Sequence, residues 1–147
     1  MKTLLKTVTT SHASYSALSL RIPIGIIFMA HGAQKLFAWF GAYGLEGTAG
    51  WMESIGLAPG FLMAVLAGSG EFFGGLFILL GLLTRPAAAV LAITMIVAIF
   101  SVHFSNGLFM SNNGYEFALA LLAASVSVAI SGSGKLSLDN YLAKKLA

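Results

Sequence analysis

The sequence predicts an all-α integral membrane protein, an antiparallel four-helix bundle, and three observations carry that reading. The 147-residue chain is 58% hydrophobic and only 9% charged, with a mean hydropathy of +0.90, too little polar material to coat a water-soluble domain. The apolar residues form four long runs spread through the middle of the chain. The few lysines and arginines flank those runs, as membrane anchors do.

A spanning helix needs about 20 mostly apolar residues, because the hydrocarbon core is about 30 Å thick and each residue rises about 1.5 Å. Spans are expected over about 17–40, 60–83, 86–104 and 114–131. Pro59-Gly60 precedes the second, Thr84-Arg85-Pro86 makes a tight connection to the third, and 105–114 supplies Asn and Gly for the last turn. Connections this short make neighbours antiparallel, and four spans put both termini on one side. Lys2, Lys6, Arg21, Arg85, Lys135, Lys144 and Lys145 fall on that side, whereas the other has Lys35 against Glu46 and Glu53. The cation excess marks the termini as cytoplasmic. The expected organisation is a cytoplasmic N-terminal tail (1–16), a transmembrane domain (17–131) and a cytoplasmic C-terminal tail (132–147). Residues 7–14 are too polar for the core of a signal peptide. The tail after Gly134 can cap at Ser137 or Asp139 and form an amphipathic turn on the inner surface.

Gly25 and Gly32 in the first span, and Gly68, Gly70, Gly74, Gly75 and Gly81 in the second, recur at helix-interface spacing. Small residues let helix backbones approach in lipid, where packing replaces the hydrophobic effect as driving force. Trp39, Tyr43 and Trp51 stand where an outer aromatic belt belongs.

Composition also excludes functions. The net charge of +3 and pI near 9.4 do not come from a basic patch interleaved with aromatics, so nucleic acid is not an expected partner. The absence of cysteine removes disulfides, thiol catalysis and cysteine-held zinc or iron–sulfur clusters. No nucleophile–base–orienter order and no Gly-rich phosphate loop is present, and any redox chemistry needs a borrowed cofactor. No metal is expected, since His31, Glu71, His103 and Glu116 match no Glu-x-x-His ligand spacing.

Ionisable residues inside apolar spans are the informative ones, since each costs about 2.5–3.5 kcal/mol at a helix centre on insertion scales. Glu71 lies about 16 Å from either end of its span by helical rise, too deep to reach headgroups, so it is either protonated or paired. Arg21, Gly25, Phe28, Gly32 and Lys35 form one stripe of the first span that should face protein, with His31 about 80° to its side. His31, Lys35, His103 and Glu116 fall in the half of the bundle away from the termini, and with the central Glu71 they make up a candidate intramembrane polar site. Arg21 and Arg85 are candidate structural charges. Asn106, Asn112 and Asn113 suit a turn.

The order His31-Gly32-Ala33-Gln34-Lys35-Leu36-Phe37, Gly41-Ala42-Tyr43-Gly44, Glu71-Phe72-Phe73-Gly74-Gly75, Gly81-Leu82-Leu83-Thr84-Arg85, Gly114-Tyr115-Glu116 and Ser133-Gly134-Lys135-Leu136-Ser137-Leu138-Asp139 resembles the DoxX family of bacterial inner-membrane proteins over roughly residues 15–140. It departs where Ser131-Gly132-Ser133-Gly134 stands in place of a Gly-Pro-Gly turn. The resemblance implies a four-helix membrane bundle in the bacterial inner membrane, related to the membrane subunit of a thiosulfate:quinone oxidoreductase. Its polar set would be Arg21, His31, Lys35, Glu71, Arg85, His103 and Glu116. The leading expectation is a subunit or accessory of a membrane oxidoreductase system that binds a quinone or other small amphiphile, not a self-contained enzyme. An oxidoreductase partner subunit or a homo-oligomer fits such a role. A small-molecule or proton transporter component and a membrane scaffold for a partner enzyme are the alternatives.

Overall fold

A computed structural model describes residues 15–146; Lys2, Lys6 and most of the expected N-terminal tail lie outside the described residues. Those residues form six α-helices and no strand: α1 (Ser16–Phe37), α2 (Gly44–Ser54), α3 (Gly60–Leu80), α4 (Thr84–Ala98), α5 (Glu116–Ser131) and α6 (Leu138–Leu146). A π turn, Ile99–His103, and a 3-10 turn, Phe104–Asn106, prolong α4. The protein is thus all-α.

Three helical stretches are long and apolar enough to cross a membrane: the 22 residues of α1, the 21 of α3 and the 23 of Thr84–Asn106. The helix in the fourth apolar run is shorter, 16 residues in α5. Gly114 and Tyr115 are drawn instead into a loop where Tyr115 and Glu116 N–H groups bond back to the Gly107 and Leu108 carbonyls. Backbone geometry sets the other ends. Ala38 turns left-handed (φ 57°) after α1. Gly81 (φ 67°) ends α3, and its N–H and that of Leu82 bond to the Ile78 and Phe77 carbonyls, a turn that glycine enters without steric cost.

The helices α1 and α3 pack antiparallel with their backbones nearly touching. A β-carbon at Gly25 would lie 2.9 Å from the Gly75 carbonyl oxygen, and one at Gly32 would collide with the Phe72 backbone. Further along α3, Gly74 faces Leu91 and Gly70 faces Val90 and Thr94 of α4. The helix α5 packs on α4 and returns to α1, enclosing Ile24, Phe28, Ile78, Leu91, Leu121 and Val128. Because the Phe72 backbone and β-carbon, which cannot swing aside, stand opposite Gly32, Gly32→Ala is expected to cost about 1–3 kcal/mol, the usual range for overpacking. Denaturant titration in detergent would read this as a lowered midpoint; an unchanged midpoint would show that the α1–α3 contact yields easily.

The connection between α1 and α3 contains a helix the sequence reading does not anticipate. Ala49 and Met52 of α2 pack on Ala64, and the Glu53 Oε2 accepts the Gly60 N–H at 2.7 Å. The carboxylate thereby serves an otherwise unpaired donor at the start of α3.

The end of the molecule that carries both described termini is closed by two buried ionisable residues. Arg21 is 1% exposed, so it does not snorkel to water. Its Nε donates to the Ile78 carbonyl at 2.9 Å and its Nη2 to Leu79 at 3.1 Å, while Nη1 donates to Leu136 at 2.9 Å and to Ser133. One guanidinium thus links α1 to the last turn of α3 and to the segment before α6. Asp139 is equally buried and accepts the Leu83 and Thr84 N–H groups at 2.7 and 2.9 Å, capping α4 from the far end of the chain. Ser137 caps α6, its Oγ accepting the Asn140 N–H at 3.1 Å. Arg85 donates to the Ala129 carbonyl at 2.8 Å and so ties α4 to α5.

Candidate functional site

A cavity of about 420 Å³ occupies the end of the bundle away from Arg21. Its walls come from the second half of α1, the end of α2, the first half of α3, the second half of α4 with its π turn, and the start of α5. Phe28, Met52, Met95, Phe117 and Leu121 make much of the surface apolar, and His31, Lys35, Glu71 and His103 all stand on it.

Glu71 is 4% exposed and has the cation its depth demands. Lys35 Nζ donates to its Oε2 at 2.6 Å. The pairing follows from the glycine packing: Gly32 against Phe72 and Gly68 against Leu36 bring the α1 and α3 backbones close, so a lysine three residues after Gly32 reaches a carboxylate three residues after Gly68. Arg21, the other cation on the stripe, is spent on carbonyls at the opposite end. The lysine side chain retains 23% exposure against 6% for the glutamate, and Nζ has two N–H bonds beyond the one to Glu71. The pair therefore presents a donor and a charge to the cavity while the carboxylate stays shielded.

His31 lies one helical turn before Lys35, its ring 6.3 Å from that of Phe117 and tilted by 48°. Among the described residues it has no side-chain hydrogen bond. His103 closes the π turn, a distortion that changes where successive side chains point and is often found at functional sites. Its Nδ1 lies 2.9 Å from the Asn113 carbonyl oxygen. Asn106 Nδ2 donates to that oxygen and to the Val102 carbonyl, both at 3.2 Å, and Asn113 itself is left-handed (φ 57°). The asparagines thus build the turn and hold the histidine.

Glu116 is not on the cavity wall. Its Oε1 accepts the Met110 N–H at 2.6 Å, which pins the loop before α5. Arg21 and Arg85 stand near the other end. The structure thus brings His31, Lys35, Glu71 and His103 together and leaves Glu116 outside. Sequence reasoning missed Asn113 as the partner of His103, and missed the wall supplied by Trp51 and Met52 of α2. Among the described residues no three His, Asp or Glu side chains converge as a metal site would require.

The arrangement combines apolar walls with hydrogen-bonding groups from α1, α3 and the end of α4. The Bacillus subtilis (strain 168) protein named "Putative oxidoreductase CatD" is 39% identical to the chain over 127 residues, 86% of this chain and 87% of that one. Inner membrane protein YqjF of Escherichia coli K12 is 35% identical over 131 residues, 85% and 90% of the two chains. The uncharacterized membrane protein Rv3486 of Mycobacterium tuberculosis is 31% identical over 140 residues, covering 88% and 83%. No solved structure matches the chain. The DoxX family profile matches residues 16–104, and with these relatives aligned over most of its length, the chain belongs to the DoxX family of membrane proteins.

Proposed function

We propose that the chain is a four-span inner-membrane subunit or accessory of an oxidoreductase system, binding a quinone-like or other small amphiphilic molecule in the cavity around Lys35 and Glu71. The observation that carries the proposal is the cavity itself: about 420 Å³, apolar over most of its surface, with a buried ion pair and two histidines on its wall. The oxidoreductase name borne by the Bacillus relative points the same way. The helix α5 is the fourth crossing in this reading. It runs alongside α4 and its extension: Tyr115, just before α5, stacks its ring on Phe104 of the 3-10 turn at 5.7 Å, and Ala129 near its end accepts from Arg85 at the start of α4. Its 16 residues cover about 24 Å, and flanking residues make up the difference from the hydrocarbon thickness. Lys135, Lys144 and Lys145 lie with Arg85 at the end that holds the described termini, which favours a cytoplasmic placement of that end.

Titration of the purified protein with decylubiquinone, followed by native mass spectrometry and by quenching of tryptophan fluorescence, tests this reading. Saturable one-to-one binding is expected, and Ala98→Phe, which fills the cavity from α4, is expected to weaken it at least tenfold. Absence of saturable binding, or equal binding by the filled variant, would remove the cavity as a quinone site.

A further inference from the structure

The hydrogen bonding of His103 narrows what the cavity accepts, and the inference rests on the reading of the cavity as an amphiphile site. A backbone carbonyl only accepts, so the 2.9 Å contact with the Asn113 oxygen requires His103 Nδ1 to carry a hydrogen. In the neutral imidazole that leaves Nε2 as an acceptor without a hydrogen. The tautomer is held from several sides. Asn113 sits in a left-handed turn, the same carbonyl takes the Asn106 amide, and backbone bonds between 107–108 and 115–116 clamp the loop. His103 stands on the cavity wall, and among the described residues nothing donates to its Nε2. Lys35, the donor on the same cavity, keeps two N–H bonds beyond the one to Glu71.

We propose that the cavity selects a hydroxyl-bearing aromatic ligand, a phenol or the reduced quinol of a quinone pair, and that the hydroxyl donates to His103 Nε2. A quinone offers two carbonyl acceptors and no donor, so it can take a hydrogen from Lys35 but leaves Nε2 unserved, and it binds saturably yet more weakly than the hydroxyl form. A hydroxyl satisfies that nitrogen, and a second oxygen on the same ring can take a hydrogen from Lys35. Sites built around a hydroxyl reject analogues that lack it far more strongly than apolar pockets discriminate by size. Asn113 and Asn106 are then positioning residues, acting through the histidine they orient.

The test uses the full chain in detergent at pH 8 and two air-stable probes of the same body, 4-hexylphenol and its methyl ether 4-hexylanisole, with decylubiquinone as a third ligand. The phenol is expected to bind at least tenfold more tightly than the ether, and His103→Phe to bring the two within about twofold of each other. Comparing the ratio between wild type and variant cancels partition into micelles. In protein labelled with 15N-histidine, the Nε2 resonance of His103 should move on adding the phenol and stay in place with the ether, a response that a purely structural histidine would not give. Equal binding of phenol and ether, with decylubiquinone still bound, overturns the selection while the amphiphile site stands. Failure of all three to bind overturns both.

Discussion

Replacing Arg21 by lysine is expected to destabilise the protein by more than about 4 kcal/mol, even though charge and length are nearly kept. The guanidinium donates to four carbonyls on two segments, and charge-assisted bonds of this kind contribute about 1.5–3 kcal/mol each. An ammonium is a compact point charge with three donors and no planar fork, so it cannot reach Ile78 and Leu79 on one side and Ser133 and Leu136 on the other. The Ile78 and Ser133 carbonyls left behind are buried, where unpaired acceptors are costly. Unfolding in mixed micelles of dodecyl maltoside and dodecyl sulfate would measure the loss. A lysine variant within about 1 kcal/mol of wild type would mean that the fork does not organise this end of the bundle.

The second large effect lies at the other end. Lys35→Met is expected to cost about 3–5 kcal/mol, the range for leaving one member of a buried pair without its partner, because Glu71 then has no counter-ion while its side chain is only 6% exposed. Glu71→Gln should cost less, since Lys35 is 23% exposed and its flexible stem can turn the ammonium toward the cavity. The double replacement Lys35→Met with Glu71→Leu is expected to recover most of the loss, as apolar substitutes for buried ion pairs commonly do. The same micelle titration applied to all three variants gives the coupling between the two positions. If the double variant were as unstable as Lys35→Met alone, packing and not charge would account for the loss.

Much of this architecture is legible in the chain because membrane helices announce themselves by composition. Long apolar runs between Gly, Pro and Asn punctuation need no long-range information, and an all-α membrane protein follows from them. Glycine spacing likewise marks the faces on which α1 and α3 meet. What the sequence conceals is distance in three dimensions. Arg21 near a span end is equally compatible with headgroup contact, and only the carbonyls of residues 133 and 136, more than a hundred positions away, show that it is enclosed. Asp139 reads as a local cap for α6, yet Ser137 performs that task and Asp139 caps α4. Nothing near Leu83 signals that its helix borrows an acceptor from so far along. At the cavity, the depth of Glu71 announces that it needs compensation, but choosing Lys35 over Arg21 or His31 requires the register between α1 and α3. Glu116 shares the depth of the cavity residues, and only the course of the loop shows its carboxylate turned to Met110. The helix α2 is concealed because Gly44, Gly47 and Gly50 dilute its propensity, and contact with α3 supplies what propensity lacks.

The crossing of Arg21 and Asp139 also orders events during synthesis. The segment that satisfies half of the guanidinium and caps α4 leaves the ribosome after α1, α3, α4 and α5. Until residues 133–139 arrive, an arginine and the first turn of α4 await partners at the membrane surface, where water and headgroups can serve them. Residues 133–139 therefore act as a latch, and the bundle passes from a water-tolerant assembly to a sealed one only once they have followed α5 out of the ribosome.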